Sequence, residues 1–107
     1  MNVVTNNEEK CTLALVALKN VIDPEIGLNI VDLGLIYEMN FNEDDNLVSC
    51  IMTLTTQFCP MGDAITGGAT NALQLAFKQN KIIVDLTFEP PWTSEMISDE
   101  GHEFLNG

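Results

Sequence analysis

The chain has 107 residues, 46% of them apolar and only 19% charged, a balance that supports one packed domain over residues 1–107 and argues against disorder. Its charge is one-sided: four lysines and no arginine stand against sixteen acids, a net charge of −12. Such a chain has no basic stripe for a phosphate backbone and is repelled by anionic lipid, so nucleic-acid and membrane-surface partners are excluded. The opening Met1–Asn7 lacks the basic start and long apolar run of a signal peptide, and the three cysteines Cys11, Cys50 and Cys59 form neither a CxxC pair nor a disulfide framework. The expectation is a cytoplasmic protein in a reducing compartment.

The first predicted element is a helix capped by Asn6, with Glu9 completing a capping box and Glu8 and Glu9 complementing the dipole. It is expected to run to about Val21, with Leu13, Val16, Ala17 and Val21 as its apolar stripe, widened by Leu15, Leu18 and Ile22, and Pro24 ends it. Residues 23–34 have no period and contain a proline and two glycines, which reads as a structured loop. Three alternating segments follow as strands: Leu35–Phe41, Val48–Leu54 and Ile82–Phe88. In the first, Leu35, Tyr37, Met39 and Phe41 share the expected inner face.

The polar run Asn42–Asn46 predicts an antiparallel hairpin between the first two strands. Pro60–Gln79, with Ile65, Ala69, Ala72, Leu73, Ala76 and Phe77 on one face, predicts a crossover helix that places the second and third strands parallel. Beyond Pro90–Trp92, Thr93 or Ser94 is expected to cap a last helix reaching about Leu105. The expected fold is α/β of the α+β kind: two layers, order α-β-β-α-β-α, a small mixed three-stranded sheet and helices mainly on one face.

Cys59 stands before Pro60, a residue favoured at the first helical position, so Cys59 is placed at the N-cap of the second helix. Unpaired N–H groups and the dipole there favour the thiolate, which is both nucleophile and metal ligand. The competing reading is a small buried cysteine filling a loop. Cys50, on an inward strand face, and Cys11, near a helix start, read as structural.

Asp23 and Glu25 flank Pro24 on a stiff turn, as an acid–base or hard-metal pair or, for Asp23, as a turn residue bonded to local N–H groups. Asp32 has the same two readings. Thr55, at the end of the second strand, has a hydroxyl that can approach the thiol or is an ordinary strand threonine. Pro90, Pro91 and Trp92 carry the only tryptophan to a sheet edge, as packing or as a partner contact. His102 stands alone, without a catalytic partner. Met52, Met61 and Met96 read as packing. No phosphate loop, nucleophile elbow or dinucleotide fingerprint occurs.

Asp23 through Tyr37, Met52–Thr55 followed by Cys59–Pro60, Leu86–Phe88, and Pro90–Thr93 with Met96 and Ser98 together resemble the metal-sulfur cluster assembly family. That family includes SufT and PaaD-like proteins and the small cytosolic iron-sulfur assembly factors of eukaryotes. The likeness spans roughly residues 10–105. It implies a role in maturing iron-sulfur proteins, with Cys59 as the reactive cysteine; the leading expectation is a non-enzymatic accessory factor with Cys59 as metal ligand. Asp23, Glu25, Asp32, Thr55 and Pro60 are implied as its support, and the segment of Pro91 and Trp92 matches the family's motif too.

Many relatives have Pro-Gly or Ala-Pro where this chain has Gln57-Phe58. The phenylacetate-oxidation branch has a cysteine-rich C-terminal extension that does not follow here, and the expectation falls on the general maturation branch. The cargo implied is iron or a cluster, held transiently, and the partners implied are iron-sulfur assembly proteins and apoprotein clients. One cysteine cannot supply the roughly four ligands of a cluster, so a homodimer with two Cys59 residues is the simplest geometry. The alternative is a metal-free adaptor docking clients through Trp92. A thiol-dependent enzyme is the third reading, disfavoured because no base is spaced near Cys59.

Overall fold

In the computed structural model, residues 3–55 and 62–106 are described; Thr56, Gln57, Phe58, Cys59, Pro60 and Met61 lie outside them. In chain order the elements are β1 (Val4–Thr5), α1 (Glu8–Leu18), β2 (Ile36–Asn42), β3 (Leu47–Met52), α2 (Gly62–Ala76), β4 (Lys81–Leu86) and α3 (Asp99–Asn106), with a 3₁₀ turn at Ser94–Met96. The strands form one sheet in the order β1-β2-β3-β4. β2 and β3 are the expected antiparallel hairpin, and β3 and β4 pair in parallel across α2.

The sheet has four strands rather than three, because Val4–Thr5 adds a parallel strand to β2 ahead of α1. Two residues are too few for periodicity to reveal. Asn6 secures the addition: its amide nitrogen donates to the Phe41 carbonyl at 3.0 Å, and its amide oxygen accepts from the Phe41 N–H at 2.9 Å. Asn6 is therefore not the cap. Asn7 caps α1 instead, accepting from the Lys10 N–H at 3.1 Å.

α1 stops at Leu18, three residues earlier than the apolar pattern suggests. The Val21 carbonyl accepts from the Ile30 N–H at 3.0 Å, and Ile22 forms an antiparallel bridge with Asn29. This chain reversal removes Val21 and Ile22 from the helix. The buried stripe of α1 is Cys11, Ala14 and Leu18, whereas Leu13 and Val16 are 61% and 62% exposed. α1 is apolar on nearly every side, so spacing alone could not say which side meets the core.

Ala14 and Leu18 of α1 join Ile65, Ala69 and Leu73 of α2 in one apolar cluster with Met39, Phe41, Val48, Cys50 and Met52. The expected inner face of the first strand fails at one point. A register shift between Ile36 and Glu38 is a bulge that pairs Ile36 with Met52 and takes Tyr37 out of the alternation. Ile36 is buried with Met39 and Phe41, and Tyr37 is left half-buried. At the hairpin tip Asn46 has φ 51, and Asn42 accepts from the Asp45 N–H at 3.2 Å. Among the described residues, no helix is long and apolar enough to cross a membrane.

Candidate functional site

The loop at 23–34 is built around Asp23, which is 2% exposed although acidic. Its Oδ1 accepts from the N–H groups of Glu25 at 2.9 Å and Ile26 at 3.3 Å. Its carbonyl accepts from the Gly27 N–H at 2.7 Å, and its own N–H donates to Leu28. Gly27 has φ +84, which lets the chain turn back. Asp23 is thus the hub of an Asx turn, with its buried charge met by backbone donors. Glu25 is exposed.

Asp32 ties the loop to the C-terminal segment. Its carboxylate accepts from Asn29 Nδ2 at 2.7 Å and Ser98 Oγ at 2.9 Å, and its carbonyl accepts from the Ser98 N–H at 2.8 Å. Burial pushes its carboxyl up, but the Asn29 and Ser98 hydrogen bonds and the Lys19 ammonium outweigh this and hold it below its ordinary value. Ser98 in turn caps α3, its Oγ accepting from the Gly101 N–H at 3.0 Å. The last helix therefore starts at Asp99 with Ser98 as its cap, later than the expected Thr93 or Ser94; those residues lead into the 3₁₀ turn.

Three further contacts close the same seam. Trp92 Nε1 donates to the Leu33 carbonyl at 2.7 Å. Tyr37 Oη donates to the Pro90 carbonyl at 2.8 Å and lies 3.5 Å from Met96 Sδ. Gly34 has φ +80 and sits so close to Met96 that a Cβ there would overlap the Met96 carbonyl. The ring of Trp92 is half-buried against the core, whereas Pro91 is exposed. Two segments far apart in sequence are thus locked together through Asp32, Leu33, Gly34 and Tyr37. The roles of Asn29, Gly34 and Ser98 were not assigned from sequence, although Ser98 before Asp99-Glu100 carries an N-cap signal.

Thr55 is half-buried in the bend after β3, immediately before residues 56–61. On the far side of that segment, α2 opens at Gly62, where a Cβ would stand 2.9 Å from Leu54 Cδ1. The two described ends flanking Cys59 therefore pack against each other. Cys11 and Cys50 are both buried. Burial pushes the Cys50 thiol up to about 12, and it also raises Cys11 against a weaker lowering from Thr5. Among the described residues, no group of three or more His, Cys, Asp or Glu side chains could hold a metal ion. Both carboxylate oxygens of Asp32 and Oδ1 of Asp23 accept hydrogen bonds within the fold.

The chain is 40% identical over 83 residues, 78% of each sequence, to an Fe-S protein maturation auxiliary factor of Porphyromonas gingivalis. It is 40% identical to the Fe-S protein maturation auxiliary factor SufT of Staphylococcus aureus, over 73% of this chain and 88% of that one. A domain of unknown function from Bacillus anthracis has the same fold, with TM-score 0.84 and 32% identity over 94% of this chain and 98% of the other. A conserved hypothetical protein of Thermotoga maritima aligns over the whole of both chains at TM-score 0.74 and 39% identity. A model of the iron-sulfur cluster assembly protein family matches residues 14–87, and the chain belongs to that family.

Proposed function

We propose that this protein is an auxiliary factor in the maturation of iron-sulfur proteins, acting as a carrier or contact rather than as an enzyme. In this reading Cys59 supplies a thiolate that takes iron or an iron-sulfur cluster as transient cargo, in the cytoplasm, and passes it to assembly proteins or apoprotein clients. The likeness to the maturation factors of P. gingivalis and S. aureus supports the maturation role. The observation that supports the choice of thiol is the burial of Cys11 and Cys50, both with raised pKa values, which disfavours either as a solvent-reached thiolate.

A cluster takes about four ligands, so one Cys59 requires donors from elsewhere. A homodimer that brings two copies of Cys59 together is the simplest source, with a small thiol or the client completing the set. Anaerobic reconstitution with ferrous iron and sulfide, read by visible absorption and iron counting, tests this. Wild type is expected to take up iron and Cys59→Ala to lose it; equal uptake by both refutes the role of Cys59.

A metal-free adaptor docking through Pro91 and Trp92 is the second reading, favoured by the exposure of Pro91 beside a half-buried indole. It predicts that Cys59→Ala keeps client capture while Pro91→Ala or Trp92→Ala loses it.

A further inference from the structure

The face of the sheet opposite the apolar cluster carries a pattern that cargo binding does not use and that meets the seam of the last helix only at Tyr37 and Pro90. Register places four residues in one row across all four strands: Val4 beside Glu38, Glu38 beside Ile51, and Ile51 beside Asp85. The row alternates apolar and acidic side chains. Val4 is 61% exposed, Asp85 is exposed, and Glu38 and Ile51 are half-buried. A shallow groove of about 460 Å³ runs over this row and is also lined by Leu86 and Glu89.

No lysine lines the groove, and among the described residues the one ion pair is Lys10 with Glu43 at the hairpin tip. Glu38, Asp85 and Glu89 therefore present three uncompensated carboxylates beside an apolar floor. A second copy of this chain is a poor occupant, because the same acids would meet like charges on a molecule of net charge −12. The complement is cationic and apolar.

We propose that this face docks a basic amphipathic helix of a partner protein. The strands along the row already bond one another, so an occupant lying over them gains no backbone partners and must satisfy its own, as a helix does. Spacing agrees. Strands lie roughly 4.8 Å apart, which puts Glu38 and Asp85 about 10 Å apart across β3. Basic residues one heptad apart on a helix are separated by roughly 10.5 Å along its axis, with apolar residues between them on the same side. The docking goes beyond the thiol reading and stands without Cys59, so failure of cluster reconstitution leaves it untouched.

The test uses the full chain, labelled with ¹⁵N, and a synthetic helical peptide with lysines about a heptad apart and leucines between them. Shifts are expected at Val4, Glu38, Ile51, Asp85 and Leu86. The combined variant Glu38→Gln, Asp85→Asn, Glu89→Gln is expected to bind about tenfold more weakly at low salt, with its thermal midpoint checked to show that it folds. Replacing the peptide's leucines by serine is expected to abolish saturable binding. The proposal is overturned by no binding, by shifts centred elsewhere, by unchanged affinity in the folded triple variant, or by equal binding of the serine peptide, which would show diffuse charge attraction alone.

Discussion

Asp32→Ala is the most informative single change, because one carboxylate joins the 23–34 loop to the cap of α3. The substitution deletes the hydrogen bonds from Asn29 at 2.7 Å and Ser98 at 2.9 Å. Hydrogen bonds to a charged acceptor contribute about 1.5–3 kcal/mol each when buried. Asp32 is half-buried, so a discounted value of about 1 kcal/mol each is appropriate, for a total near 2 kcal/mol and a shift of about 30-fold in the local equilibrium. Asp32→Asn keeps one acceptor but sets an amide N–H₂ against a donor, and about 1 kcal/mol is expected.

The cost should appear first as undocking of the C-terminal segment, since Trp92 and α3 are held at the same seam. Trp92 is the only tryptophan, so its emission reports that undocking directly. Asp32→Ala is expected to shift the emission to the red, speed native-state proteolysis beyond Trp92, and lower the urea midpoint. Unchanged emission and cleavage, with stability within about 0.5 kcal/mol of wild type, would refute the anchoring role. The pH dependence has a definite sign. The folded pKa of Asp32 lies below its ordinary 3.8, so its contribution is fully present above that value and is lost as pH falls through the folded pKa. Acid loosening below about pH 3.8 should therefore be weaker in Asp32→Asn, measured as the difference between the two emission titrations.

Gly34→Ala and Gly27→Ala form a matched pair, since φ is +80 and +84 but only Gly34 has backbone in the way. Gly27→Ala should cost about 1 kcal/mol and Gly34→Ala at least about 3 in urea unfolding; equal losses would refute the close approach to Met96. Trp92→Phe removes the indole donor to Leu33 and should cost about 1–2 kcal/mol, read by the calorimetric midpoint, while keeping the ring's packing. Brief iodoacetamide treatment of native protein at pH 8 should label Cys59 alone by mass spectrometry, and labelling of Cys50 would contradict its burial. Because the Cys50 pKa rises from 9.0 to about 12 on folding, stability should fall as pH climbs through that interval. Cys50→Ala should flatten this alkaline slope.

The hairpin, the crossover helix and the parallel pairing of β3 with β4 were all legible in the sequence, because each rests on a local period or a polar turn bounded by long segments. The seam around Asp32 was half legible. Asp32, Trp92 and Ser98 stood out as motif residues, but they pair with partners up to 66 positions away, and no local pattern encodes such a pairing. Asp23 and Asp32, which read either as reactive groups or as turn residues, make the hydrogen bonds of a turn and of a helix anchor. The deciding fact is which donors surround each oxygen.

By itself, the sequence determined the mixed α and β class, the acidic surface, the family likeness and the lack of a CxxC pair at Cys59. Composition and short-range spacing contain that information. Only the tertiary structure decided that Val4–Thr5 is a strand, that the buried side of α1 runs through Cys11, Ala14 and Leu18, and that a bulge turns Tyr37 toward the C-terminal segment. A helix apolar all round, a two-residue strand and a one-residue bulge leave no periodic trace. Their outcome is set by packing and by distant backbone partners.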